Sequence, residues 1–204
     1  MSILYLLDLI GVFAFGLTGG LVAKRKDMDL FGFFVLALVT ATGGGTLREI
    51  MLGNTNLFLF YDPTYIIVII ASALCTFVFH NQILKITSIV LFLDAIGLGT
   101  FVCIGMSKAL AAGVPAFGAV IFGLLTAVGG GVLRDVLAGE VPMVLHRDFY
   151  AVACIIGGVI YIFLYEIGLD QEIVMAVTTA IIIALRVLAI KYKWNFIAHS
   201  KSNS

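Results

Sequence analysis

Two glycine triplets, each followed at the same interval by an arginine and an acid, are the residues whose types and spacing could do chemistry. The first stretch is Thr40-Ala41-Thr42-Gly43-Gly44-Gly45-Thr46-Leu47-Arg48-Glu49 and the second Thr126-Ala127-Val128-Gly129-Gly130-Gly131-Val132-Leu133-Arg134-Asp135. Each glycine weakens a helix by about 1 kcal/mol relative to alanine, so a helix carrying a triplet is easily kinked or unwound. In hydrocarbon a loosened ladder is tolerable only where its carbonyls face protein or a water-filled cavity. Bare carbonyls in such a cavity are cation ligands, which makes both triplets candidate pore kinks and Thr40 and Thr126 candidate pore-facing residues. The same glycines would equally suit a tight helix crossing with no pathway.

A second constellation precedes each triplet: Asp8, Gly11, Phe15, Gly19 and Ala23 recur as Asp94, Gly97, Phe101, Gly105 and Ala109. Their spacings of three and four lay them along one helical face. The glycines allow close helix approach, whereas a carboxylate inside a membrane helix is expensive and is usually paired or facing water. Phe15 and Phe101 lie on the same stripe and are further pore-facing candidates. An unpaired guanidinium beside a cation pathway would repel its cargo, so Arg48 and Arg134 need neutralising. At about 1.5 Å per residue, Asp8 and Arg48 reach similar depth near one membrane surface, and Asp94 and Arg134 near the other. The expectation is two charge clusters, Asp8 with Arg48 and Glu49, and Asp94 with Arg134 and Asp135, one at each mouth. Interfacial anchoring by snorkelling side chains is the alternative.

Other residues carry less. Lys108 reads as an anchor that could also modulate a pore. His80, His146 and His199 are scattered without ligand spacing, and Cys75, Cys103 and Cys154 sit in apolar runs, so neither a metal site nor a disulfide is expected. Phosphate-loop, nucleophile-elbow and zinc-helix motifs are lacking, as is the T-V-G-Y-G potassium filter, and no basic patch suits nucleic acid.

The elements that must hold these residues follow from composition. With 62% hydrophobic and 12% charged residues in 204, and a mean hydropathy of +1.16, the chain needs lipid as its solvent. Apolar runs near 3–23, 30–52, 64–80, 86–108, 115–138, 149–167 and 172–191 select an all-α membrane protein of seven transmembrane helices. The first run begins at Ile3 without a basic leader, so it is expected to be a retained span.

Placing residue n against n+86 aligns Leu7 to Phe79 with Leu93 to Tyr165 without a gap, and roughly 22 of the 73 pairs are identical. The matches include polar and glycine positions, such as Gly53 with Gly139 and Asp62 with Asp148, which shared hydrophobicity does not explain. Residues 1–85 and 86–170 therefore read as two three-helix units, 171–193 as a seventh helix and 194–204 as a cytoplasmic tail. Three spans per unit is an odd number, so the units enter the bilayer from opposite sides as an inverted repeat. Lys24, Arg25, Lys26, Lys85, Arg134, Arg147, Arg186, Lys191, Lys193 and Lys201 then share one side, against Arg48 and Lys108 on the other. The positive-inside rule makes that side cytoplasmic, with the amino terminus external.

With its seven spans, gapless inverted repeat and paired Gly43–Glu49 and Gly129–Asp135 motifs, the chain resembles the prokaryotic branch of the trimeric intracellular cation channels, also described as glycine-transporter-like membrane proteins. The resemblance implies a homotrimer in a prokaryotic plasma membrane. Each protomer would hold one pore, lined by the first, second, fourth and fifth spans and kinked at the glycine triplets. It implies permeation of monovalent cations, chiefly potassium with sodium as the other candidate, and no enzymatic activity or cofactor. Animal members carry a basic cluster on the fourth span that is associated with lipid and gating, whereas Gly97 to Lys108 offers only Lys108 here. A secondary transporter for a small solute such as glycine is the rival reading, because inverted repeats with broken midplane helices also suit alternating access.

Overall fold

The computed structural model describes residues 3–83, 89–146 and 149–194. Lys85, Arg147, Asp148, His199 and Lys201, together with most of the expected tail, lie outside the described residues. The described chain is all-helical. Its long helices are α1 (Ile3–Arg25), α2 (Leu30–Met51), α4 (Pro63–Ile83), α5 (Ile89–Ala111), α6 (Ala116–Leu137), α8 (Phe149–Glu166) and α9 (Gln171–Tyr192). All seven are long and apolar enough to cross a membrane. Two single-turn helices that the hydropathy pattern does not reveal, α3 (Phe58–Tyr61) and α7 (Met143–His146), precede the third long helix of each unit. The described part of the fourth span, Ile89–Ala111, extends a few residues past the expected end at 108.

Helix ends are set by local chemistry, and the turns that close the first two helices of each unit recur at the 86-residue offset. Asp29 caps α2 by accepting a hydrogen bond from the Gly32 amide at 2.8 Å, and Asp170 caps α9 through Glu172 at 2.9 Å. After α1 the chain turns through Asp27 at φ 50°, and after α5 through its equivalent Gly113 at φ 80°. The turn closes with Met28 N–H on Ala23 O and Val114 N–H on Ala109 O, both at 3.0 Å. Gly53 and Gly139, at φ 71° and 68°, end α2 and α6 in the same way. At the α3–α4 corner, outside the spans, the Tyr5 hydroxyl donates to Asp62 at 2.6 Å. That bond, with the Thr64 amide, holds the Asp62 carboxyl below the usual carboxylate range.

Packing places α1 and α5 at the centre, where most of their residues from Gly11 to Ala23 and from Gly97 to Ala109 are buried. α1 packs on α2, α4 and α5, while α5 packs on α1, α6 and α9, and α2 meets α6 across the middle. The outer faces of α4 and α8 stay apolar, with Ile67 64%, Val78 61%, Val159 59% and Phe163 63% exposed, as surfaces solvated by lipid require. Small residues allow the central approach: a Cβ on Gly19 would lie 2.6 Å from the Leu36 carbonyl oxygen, and one on Gly105 2.9 Å from the Gly123 Cα.

Candidate functional site

The two triplets meet each other. Both α2 and α6 run as unbroken helix through Gly43–Gly45 and Gly129–Gly131, so the loosened, carbonyl-exposing ladder expected at these positions is not found. The missing side chains are used for contact instead. A Cβ on Gly44 would overlap the carbonyl oxygen of Thr126, and one on Gly130 that of Thr40. One on Gly129 would sit 3.1 Å from the Gly44 Cα. A buried backbone pressed against another backbone has no cavity to satisfy a broken ladder, so the ladder is retained. Thr40 and Thr126 are buried here, and their hydroxyls donate back to the carbonyls of Leu36 at 2.5 Å and Phe122 at 2.7 Å.

Beside this crossing stand Phe15 and Phe101. Their rings meet edge to face with centroids 5.1 Å apart, and both are buried. Phe15 packs where Gly97 and Gly130 leave room for it, and Phe101 beside Gly11. Equivalent residues of the two units thus touch at the centre, α1 to α5 and α2 to α6.

Asp94, Arg134 and Asp135 stand together. Arg134 donates from Nη1 to Asp94 Oδ1 at 3.0 Å and to Thr18 Oγ1 at 2.9 Å, and from Nε to Asp135 Oδ1 at 2.8 Å. The Asp94–Arg134 pair has side chains 0% exposed, so neither charge could be kept without the other. Asp135 takes a further bond, from the Met143 amide at the start of α7, at 2.9 Å.

The first cluster differs. Asp8 and Arg48 come into one electrostatic neighbourhood but not into contact: Asp8 accepts from the Tyr65 hydroxyl at 2.7 Å, and Arg48 pairs with Glu49 at 2.6 Å. Glu49 also binds Lys108 at 2.7 Å and Asn54 at 2.7 Å. A glutamate is one methylene longer than the aspartate at 135, and its carboxylate stands between the arginine and the lysine. Lys108 therefore belongs to the site, where the sequence suggests chiefly an anchor.

Three further residues escaped the sequence reading. Tyr65 on α4 donates to Asp8 of the neighbouring first helix at 2.7 Å, and the Tyr150 hydroxyl on α8 stands with Asp94 and Arg134 around Gly131. Both stand near the start of the third long helix of their units, but one residue out of the 86-residue register, which hides the correspondence. Arg186, one of the basic residues that the positive-inside count places on the cytoplasmic side, is buried, with its guanidinium 4.7 Å from the Tyr150 ring centroid. Arg134, counted likewise, is buried too. Arg25 and Lys26 remain at the surface, where both pair with Glu140, at 3.4 and 3.1 Å.

Comparison with known proteins agrees with this architecture. The family model described as Glycine transporter matches twice, over residues 5–81 and 91–166, one match to each unit. The UPF0126 inner membrane protein YadS of Escherichia coli K12 is 39% identical over 187 residues, covering 90% of each chain. A solved structure of the TRIC trimeric intracellular cation channel orthologue from Rhodobacter sphaeroides superposes with a TM-score of 0.90 at 35% identity. That match covers 95% of this chain and 100% of that one. A structure reported for conductance through TRIC cation channels superposes at 0.86 with 37% identity, covering 98% of both chains.

Proposed function

This chain belongs to the prokaryotic branch of the trimeric intracellular cation channels, a multi-pass plasma membrane family, and from that premise we propose that it is a channel for monovalent cations, chiefly potassium. One pathway runs inside each protomer of a homotrimer, bounded by α1, α2, α5 and α6. The amino terminus is external and the carboxyl terminus cytoplasmic, so residues 1–85 and 86–170 are oppositely oriented units and α9 is the added seventh helix.

The observation that carries the reading is the position of the charges. Asp8 and Asp94 each stand seven residues (15 − 8 and 101 − 94) from the central phenylalanine of the same helix, about 10 Å along its axis. Two buried charge clusters thus flank a middle made of Phe15, Phe101, Thr40, Thr126 and glycine. A cation can be drawn to either mouth by carboxylates whose excess charge is offset by arginine, then pass a short, weakly binding centre. A transporter for a zwitterion such as glycine needs opposite charges near the midplane, whereas the buried ionic groups here stand toward the two ends.

In this reading the described conformation is closed. Phe15 and Phe101 fill the centre while the Gly44 and Gly130 crossing holds α2 against α6. Opening separates that crossing, and the glycines then serve as the flexible segment of a gate. Potassium uptake into vesicles containing the purified protein, driven by a potassium gradient with a valinomycin-treated control, tests the channel reading. Uptake that requires glycine in stoichiometric exchange would replace it with the transporter.

A further inference from the structure

We infer that Arg186 of α9 supplies the fourth charge of the second cluster, the part that Lys108 of α5 plays in the first. The first cluster holds two acids and two bases, Asp8 and Glu49 against Arg48 and Lys108. The repeated sequence cannot reproduce this balance, because the position equivalent to Lys108 is 108 − 86 = 22, a buried valine. Asp94, Asp135 and Arg134 alone would leave a buried cluster one negative charge in excess, which a low-dielectric interior disfavours.

Arg186 enters this place from outside the repeat. It is 3% exposed, and its Nε has no hydrogen-bond partner. Its guanidinium lies over the ring of Tyr150, whose hydroxyl stands with Asp94 Oδ1 and Arg134 Nη2 around Gly131. An arginine that made no use of these carboxylates would be an isolated buried cation. Shared with them, it closes the charge count at two and two. The seventh helix then completes electrically what the duplication left incomplete. Arg186 is a positioning residue, acting on Asp94 through Tyr150.

The pairing is proposed from the burial of Arg186 and its place on Tyr150, and only its effect on current rests on the channel reading. Thermal melting of the full-length protein in detergent is to be compared for Arg186→Gln, Asp94→Asn, the double variant and Arg186→Lys. Arg186→Gln should melt several degrees lower, Arg186→Lys should recover most of the loss, and the double variant should melt above Arg186→Gln alone. Should Arg186→Gln fail to assemble, recovery of folded protein in the double variant supports the pairing equally. Additive losses, or a lysine variant no better than glutamine, would overturn it. In bilayers at low salt, Arg186→Gln should favour cation entry from the second mouth by about twofold over wild type, an effect absent in Arg186→Lys. Unchanged current symmetry in Arg186→Gln would count against the proposal. A wild type without passive current would defeat the channel reading and leave the melting cycle to decide the pairing.

Discussion

Asp94 and Arg134, forty residues apart in the chain, form a fully buried ion pair at 3.0 Å, while the equivalent Asp8 and Arg48 do not touch. Two units with matching sequence motifs therefore solve the same electrostatic problem differently. Mutant cycles should expose the difference. Asp94→Asn with Arg134→Gln should show coupling of about 2 to 3 kcal/mol in melting experiments, whereas Asp8→Asn with Arg48→Gln should show well under half of that. Equal coupling in the two cycles would contradict the arrangement of the first cluster.

Within that first cluster Glu49 is the shared acceptor of Arg48 and Lys108. Glu49→Gln should leave two cations facing each other and lower cation conductance several-fold at low salt, with partial recovery on adding Lys108→Met. Single-channel recordings of the three variants check this. A double variant as impaired as Glu49→Gln would show that Lys108 plays no part.

The glycine crossing makes a steric prediction. Gly44→Ala would place a methyl group on the Thr126 carbonyl, and Gly130→Ala one on that of Thr40. Each should destabilise the closed protein by about 1 to 3 kcal/mol, while Gly53→Ala, whose glycine faces open space at φ 71°, should cost about 1 kcal/mol through backbone strain alone. Melting temperatures rank the three. Leucine at 44 or 130 should prevent assembly, and a well-assembled Gly44→Leu, Gly130→Leu double variant would show that the helices do not cross there.

Orientation is tested independently of function. Reporter fusions after Asn81 and after Lys193 should read cytoplasmic, and one near Asn54 external. Agreement between the Asn54 and Asn81 reporters would remove the inverted arrangement.

Much of this was legible in the sequence because it is periodic. The seven spans follow from apolar run length, and the pairing of Asp94 with Arg134 follows from depth on antiparallel helices. What escaped is aperiodic. Tyr65 and Tyr150 sit one residue out of the repeat register. Arg186 lies near the end of an apolar run, where length alone cannot separate a snorkelling side chain from one turned inward onto an aromatic ring. Helix propensity, which considers a helix alone, makes the glycine triplets look loosened. Packed against a second glycine helix, the same residues gain close backbone contact that holds the helix intact.

In the proposed channel, closure at the centre falls to Phe15 and Phe101, whose buried rings meet there. Replacing both with alanine should open a leak, raising resting potassium flux into vesicles at least about tenfold, because the two rings fill the space between the clusters. Flux equal to wild type from a folded double variant would place the constriction elsewhere.

The central claim is passive cation conduction, and planar-bilayer recording of the purified protein under a potassium chloride gradient tests it most directly. The account predicts channel currents whose reversal potential lies close to the potassium equilibrium potential, and which persist, with a shifted reversal, when sodium replaces potassium on one side. Currents that reverse at the chloride potential, or no current at all alongside saturable glycine exchange, would contradict it.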